Sequence, residues 1–308
     1  PYFGFEIPNY PGKYFYVWLD APIGYMASFK NFCQQNPTLS FDEFWLSDKT
    51  SELYHFIGKD ITYFHALFWP AMLTGSGYRT PTAIYAHGFL TFNGQKMSKS
   101  RGTLIEAKTY AKHLPTEALR YYFASKLSAN LEDIDFNLDD FILKINSDLV
   151  GKVVNIASRC SNFLHKLCQG QLAKTLDQPE LFHEVFNKSD KISQLYQSRE
   201  FSQAIKEIMT IADLANQYID ETKPWVLAKD PMQLEQVQKI CTTSLNFFRI
   251  LIILLKPILP NLVKNAEIFL NVAELTWQDL KKPYLNQTIN PYIPLFTRID
   301  RNEALKIC

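Results

Sequence analysis

Three short runs rich in aromatic and β-branched residues, YFYVWL at 14–19, LYHFI at 53–57 and AIYA at 83–86, are separated by two stretches of helix length, 22–34 and 61–73. Runs of this kind suit buried strands, and strands that alternate with helices build a parallel α/β sheet. Beyond about residue 115 the period changes. Ile145, Leu149, Val153, Ile156, Cys160, Phe163 and Leu167 recur at steps of three and four, as do Phe201, Ile205, Ile208, Ala212, Ala215 and Ile219. Both patterns predict amphipathic helices, and a third apolar helix is expected over 237–255, ended by Pro257 and Pro260. The expected fold class is α/β plus all-α, a partial parallel sheet followed by a helix bundle. Between them LEDIDFNLDD, 131–140, reads as an acidic, irregular connector.

A chain of 308 residues has room for about two domains, and 47% hydrophobic residues suffice for packed cores. Basic and acidic residues nearly cancel, 32 against 31, so contact with nucleic acid must come from local patches. Five cysteines, widely spaced and without a CxxC pair, argue against a disulfide framework or a zinc knuckle and fit a reducing, cytoplasmic setting. The longest aliphatic run, Ile250 to Leu255, falls far short of the roughly 20 residues that span a bilayer, so no membrane partner is expected. The sequence opens on Pro1 with no signal peptide, and it is expected to begin inside a longer polypeptide.

In open α/β sheets ligands bind beyond the carboxyl ends of the strands, which here carry LDAP (19–22), GKD (58–60) and HGFL (87–90). Close behind lies NGQKMSKSRG, 93–102, with three cations bracketed by glycines. By composition alone it is a solvated turn. The helical half offers a polar stripe, Asp148, Lys152, Asn155, Arg159, Asn162 and Lys166, of a kind that is ordinarily just solvated. Asn155 and Arg159, however, lie one turn apart and point the same way, a pair able to bond and stack on unstacked bases, and Trp225 adds a stacking platform after Pro224. A core tryptophan under a loop is the other reading of Trp225.

KMSKS (96–100), WLDAPIGY (18–25), GKDITYFHALFWPAML (58–73) and HGFLTFNGQ (87–95) together closely resemble the methionyl-tRNA synthetases, class I aminoacyl-tRNA synthetases. The resemblance continues through GKVVNIASR (151–159), SREFSQAIKEIM (198–209) and KPWVLAK (223–229). It implies ATP-dependent activation of methionine to methionyl-adenylate, then transfer to tRNA(Met), including the initiator tRNA. It also implies three parts: the second half of a Rossmann-type catalytic domain (1–90), the KMSKS loop and stem-contact connector (91–150), and an α-helical anticodon-binding domain (151–308).

By this resemblance Lys96 and Lys99 are the catalytic cations, with Lys99 the principal contact to ATP. Flexible ammonium groups that meet the triphosphate as its charge builds favour the transition state over resting ATP. Gly58, Asp60, Leu90 and Ser98 complete the ATP set: Asp60 takes the ribose hydroxyls, Gly58 lets the backbone approach, and backbone groups near Leu90 read adenine. A carboxylate capping the next helix is the alternative for Asp60. The methionine pocket is expected from Trp18, Ala21, Pro22, Tyr25, Ile61 and His65, with the Tyr25 hydroxyl and His65 as candidate donors to the thioether. Without the family, YFHALFW reads as core. Asn155, Arg159 and Trp225 match the family's readers of the CAU anticodon.

The class also carries a HIGH-type signature, and none of the histidines here, His55, His65, His87, His113, His165 and His183, sits in an HxGH pattern. A fragment is therefore expected, inactive alone and exposing an apolar sheet edge and face. ATP is expected as its Mg2+ complex, and zinc only in a full-length protein, with no site in this chain. A free-standing tRNA-binding module without catalysis is the alternative, and a synthetase for leucine, valine or isoleucine is a weaker one.

Overall fold

The structure, a computed structural model, describes residues 4–47, 50–98 and 104–307. In chain order the elements are α1 (Ile23–Gln35), β1 (Tyr54–Gly58), α2 (Trp69–Gly75), β2 (Ala83–His87), β3 (Leu90–Phe92), β4 (Gln95–Lys96), α3 (Ala107–His113), α4 (Thr116–Lys126), β5 (Ile134–Phe136), α5 (Leu138–Ile145), α6 (Asn155–Cys168), α7 (Pro179–Asn187), α8 (Ser189–Gln197), α9 (Phe201–Thr222), α10 (Pro224–Leu227), α11 (Leu234–Leu255), α12 (Pro260–Leu270) and α13 (Arg301–Leu305). Two compact units result: one runs up to Phe89 and takes in Leu131–Asp133, the other holds Leu90–Asn130 and the chain from Ile134 on.

In the first unit β1 and β2 pair in parallel, Tyr54 opposite Ala83 through Gly58 opposite His87, with helical turns and α2 as the crossover. Alternation along β1 buries His55 and Ile57 and turns Tyr54 and Phe56 outward, where both rings meet Tyr85. Trp45, Trp69 and Leu73 form the small buried core.

The expected strand at 14–19 does not form. Its start pairs with the chain just before it, Ile7 N–H to Lys13 O (2.8 Å) and Phe15 N–H to Phe5 O (2.9 Å), and Val17–Leu19 then make a 3-10 turn. An apolar run becomes a sheet strand only where a neighbour takes its hydrogen bonds. Here the preceding residues take them, and Tyr16 and Val17 stay exposed.

The second unit is the helix bundle. Its axis is α11, buried from Cys241 to Leu255 without a break, against α6, α7, α9 and α12. The polar residues on this buried helix staple loops to it: Thr242 and Thr243 accept from the Ala173 and Asp177 amides (2.9 Å each), and Asn246 bonds both backbone groups of Tyr284. Such pairing is what makes burying a polar side chain tolerable. Buried Glu117 of α4 accepts the Asn261 and Leu262 amides (2.6 and 2.9 Å), capping the start of α12. Pro260, expected to stop a helix, opens that one at its first turn. The segment Pro231–Leu255 is long and apolar enough to cross a membrane by length and composition, and 89% of its apolar window is buried inside the bundle.

The acidic connector is not irregular. Ile134 to Phe136 form β5, parallel to β3, because alternation in DIDF turns Ile134 and Phe136 to one side and the aspartates to the other. The sheet of this unit runs β4-β3-β5.

Candidate active site and RNA-recognition surface

Four of the six expected methionine residues meet in the first unit. Tyr25, on the first turns of α1, donates its hydroxyl to His65 Nε2 at 2.9 Å. His65 Nδ1 faces the Ile61 carbonyl at 3.0 Å, and a carbonyl only accepts, so Nδ1 carries the hydrogen and Nε2 is the acceptor. Trp18 stands edge-on to His65 (5.2 Å) and stacks on Phe64 (4.4 Å). Ala21 and Pro22 lead into α1, Pro22 buried and Ala21 exposed. Both expected thioether donors are therefore engaged, Tyr25 with His65 and His65 with Ile61. A cavity of about 430 Å³ lies elsewhere, among Met26, Phe41, Trp69 and Met72, and none of the six lines it.

His55 is a member of this cluster that sequence reasoning passed over. It is buried, its ring stands 4.9 Å from Tyr25 and 5.4 Å from His65, and its Nε2 has no hydrogen-bond partner among the described residues. Burial, and then His65, hold its imidazole below the ordinary value and so keep it neutral. The alternation in LYHFI carried the signal, since it places His55 on the face of Ile57.

Gly58 and Asp60 close β1. A side chain at 58 would meet the Asp60 carboxylate at 2.7 Å, so any residue larger than glycine here would turn that exposed carboxylate aside. Asp60 is exposed, and neither helical turn that follows has a side-chain cap, so the capping alternative finds no bond to rest on. Next to it Lys59 pairs with Asp133 at 2.7 Å, and Asp133 also accepts the Phe89 amide, which fastens the ends of both strands.

In the second unit β3 begins at Leu90, and β4 ends at Lys96. Leu90 and Met97 line an apolar cavity of about 220 Å³ with Ile105, Tyr110 and Phe136. Ser98 follows, half-buried, and Lys99 lies outside the described residues. On the bundle, Asn155 opens α6 and Arg159 sits one turn on. The Arg159 guanidinium lies 5.0 Å over the Trp225 ring and bonds Asp220 at 2.7 Å. Lys223, in the left-handed region at φ 46°, turns the chain from α9 into α10 and presents Trp225 at 38% exposure, which sets aside the core reading. Among the described residues no three His, Cys, Asp or Glu side chains converge as a metal site would.

A family model described as tRNA synthetases class I (M) matches residues 1–161, and one for the anticodon-binding domain of tRNA ligase matches 179–296. The chain belongs to the class I tRNA synthetases. Solved structures of Mycobacterium tuberculosis methionyl-tRNA synthetase resemble this synthetase chain over nearly its whole length. The complex with methionyl-adenylate has a TM-score of 0.81 at 25% identity, covering 96% of this chain. The apo form has 0.80 at 21% identity over 97% of it, a likeness of fold. The chain spans 58% of the length of each.

Proposed function

We propose that this chain is the part of a methionine–tRNA ligase that holds methionine, closes on ATP and reads the anticodon of tRNA(Met), the initiator tRNA included, in the cytoplasm. The observation that carries this reading is the pairing of two recognition devices in one class I synthetase chain: the Tyr25–His65 cluster in the first unit, and Arg159 stacked on Trp225 beside Asn155 in the second. A lone RNA-binding module has no use for the first of them.

In this reading Trp18, Ala21, Pro22, Tyr25, Ile61 and His65 surround the methionine side chain, and its thioether takes the Tyr25 hydroxyl in exchange for His65. Asp60 accepts the ribose hydroxyls over Gly58, backbone groups at Leu90 read adenine, and Lys96, Ser98 and Lys99 meet the triphosphate. ATP comes as its Mg2+ complex, and that ion supplies charge neutralisation on the phosphates. The HIGH-type signature absent from this sequence belongs to a further segment, so methionyl-adenylate forms only when both parts are present. Residues 1–90 then serve the catalytic fold, 91–150 the KMSKS loop and connector, and 151–308 the anticodon.

Methionine titrated against leucine, with the ring signals of Tyr25 and His65 followed by NMR, tests the reading. Methionine shifts both rings at concentrations where leucine shifts neither. If neither amino acid shifts them while a methionine anticodon stem-loop binds, the free-standing anticodon-binding module is the better description.

A further inference from the structure

The strand that carries Lys96 is held by two residues of the acidic stretch that sequence reasoning left as a connector. Thr91 of β3 stands opposite Lys96 of β4 on one side and opposite Asp135 of β5 on the other. Register partners share a face, so Asp135, Thr91 and Lys96 stand abreast in one row across the sheet.

Asp135 Oδ1 accepts the Thr91 hydroxyl and the Gly94 amide, both at 2.7 Å. Gly94, with Asn93, forms the tight turn that joins β3 to β4, both at positive φ (74° and 48°), the backbone of an Asn-Gly hairpin. Asn93 is pinned twice more: its amide donates to the Phe136 carbonyl at 3.2 Å, and its side-chain oxygen accepts from Asn137 Nδ2 at 3.1 Å. Asn137 is itself fixed, because its oxygen caps α5 by accepting the Asp140 amide at 2.9 Å.

A two-residue strand on a tight turn has little to hold it, since isolated hairpins are marginal in water. Here the Asp135 carboxylate from β5 and the Asn137 amide from the residue just after it grip the turn, and buried Phe136 between them anchors that stretch.

We propose that Asp135 and Asn137 are positioning residues for Lys96, at the start of the KMSKS loop: they fix the Asn93–Gly94 turn and so set where that lysine meets a nucleoside triphosphate. This rests on the reading of that loop as an ATP site. A loop that must deliver cations to a developing charge needs a fixed base, because the gain depends on geometry held before the reaction.

The test uses this chain with Asp135→Ala and Asp135→Asn, reading amide exchange at Gly94 and Lys96 by NMR and the binding of ATP with Mg2+ beside that of methionine. Asp135→Ala should speed exchange at Gly94 and weaken ATP each by about tenfold, the scale of one hydrogen bond, with methionine affinity unchanged. Asp135→Asn, which keeps the acceptor, should restore both. Faster exchange with unaltered ATP affinity makes the clamp merely structural and overturns the proposal, and so does unaltered exchange. If ATP leaves the Lys96 amide of the unsubstituted chain unmoved, the reading of the loop as an ATP site fails, and the proposal falls with it.

Discussion

The two units treat the same kind of sequence in opposite ways. In the first, aromatic and aliphatic side chains are abundant but few are covered: Phe56, Tyr63 and Leu67 are 67%, 78% and 63% exposed, around a buried core of Trp45, Trp69 and Leu73. In the second, α11 is covered on all sides from Cys241 to Leu255, and even its threonines and Asn246 are satisfied within the bundle. Apolar content therefore says little about burial until the partner surface is known. Parallel sheets are normally covered on both faces, and on the Tyr54–Phe56–Tyr85 face of this one Phe56 is exposed and the two tyrosines are only partly covered. The proposed recognition groups differ in exposure: His65 of the first unit is buried and bonded to Tyr25, whereas Trp225 of the second lies at the surface under Arg159.

That contrast breaks most sharply in the bundle core. Phe247→Ala empties a fully buried site and should lower the stability of the second unit by about 3–5 kcal/mol, read by chemical unfolding followed with far-UV circular dichroism. Substituting exposed Phe56 by Ser should leave the same transition in place. Next comes Glu117→Ala, which strips two buried amides of their acceptor and should cost about 2–3 kcal/mol, while Glu117→Gln costs less. A binding effect follows: Trp225→Ala should weaken a methionine anticodon stem-loop by about 1–3 kcal/mol while lowering the stability of the bundle by no more than about 1 kcal/mol, the scale of the exposed contact with Arg159 that it removes.

The smallest effect separates the units by pH. The folded-state value of His55 is depressed, so the unfolded chain takes up its proton first on acidification. The stability tied to neutral His55 is present above its unfolded value of about 6.5 and is lost as pH falls through that value towards the folded one. The first unit should lose at most about 1.4 kcal/mol per pH unit there, and His55→Phe should remove that slope; a slope unchanged by the substitution would assign it to other groups.

Much of the second unit was legible because helical period is a local property. The steps of three and four from Ile145 to Cys160 and from Phe201 to Ile219 survive in the structure, although 146–154 is wound as a π-helix, a change that spacing alone does not record, and at the end of α6 Leu164 is buried while Leu167 is exposed. The parallel pair at 54–58 and 83–87 was legible for the same reason. Partners were not. The run at 14–19 reads as a strand by composition and failed as one because Phe15 bonds back to Phe5 and Val17–Leu19 close on themselves in a 3-10 turn. IDF at 134–136 reads as a charged connector and is a strand because β3 offers an edge. Among candidate site residues, Tyr25, His65, Arg159 and Trp225 were visible as motif members. His55 and Asp135 were not, since what singles them out is a ring at 4.9 Å and an amide at 2.7 Å, contacts that only the fold creates.

The measurement that tests the central claim most directly is the binding of this chain to a methionine tRNA anticodon stem-loop, CAU against a single-base variant, at one fixed moderate salt concentration. Salt must be held because phosphate contacts shift all affinities together. If Asn155, Arg159 and Trp225 read the anticodon, CAU binds tighter by about tenfold or more, the scale of one stacked and bonded base. Equal binding of the two stem-loops by a chain whose circular dichroism shows the bundle folded would contradict it.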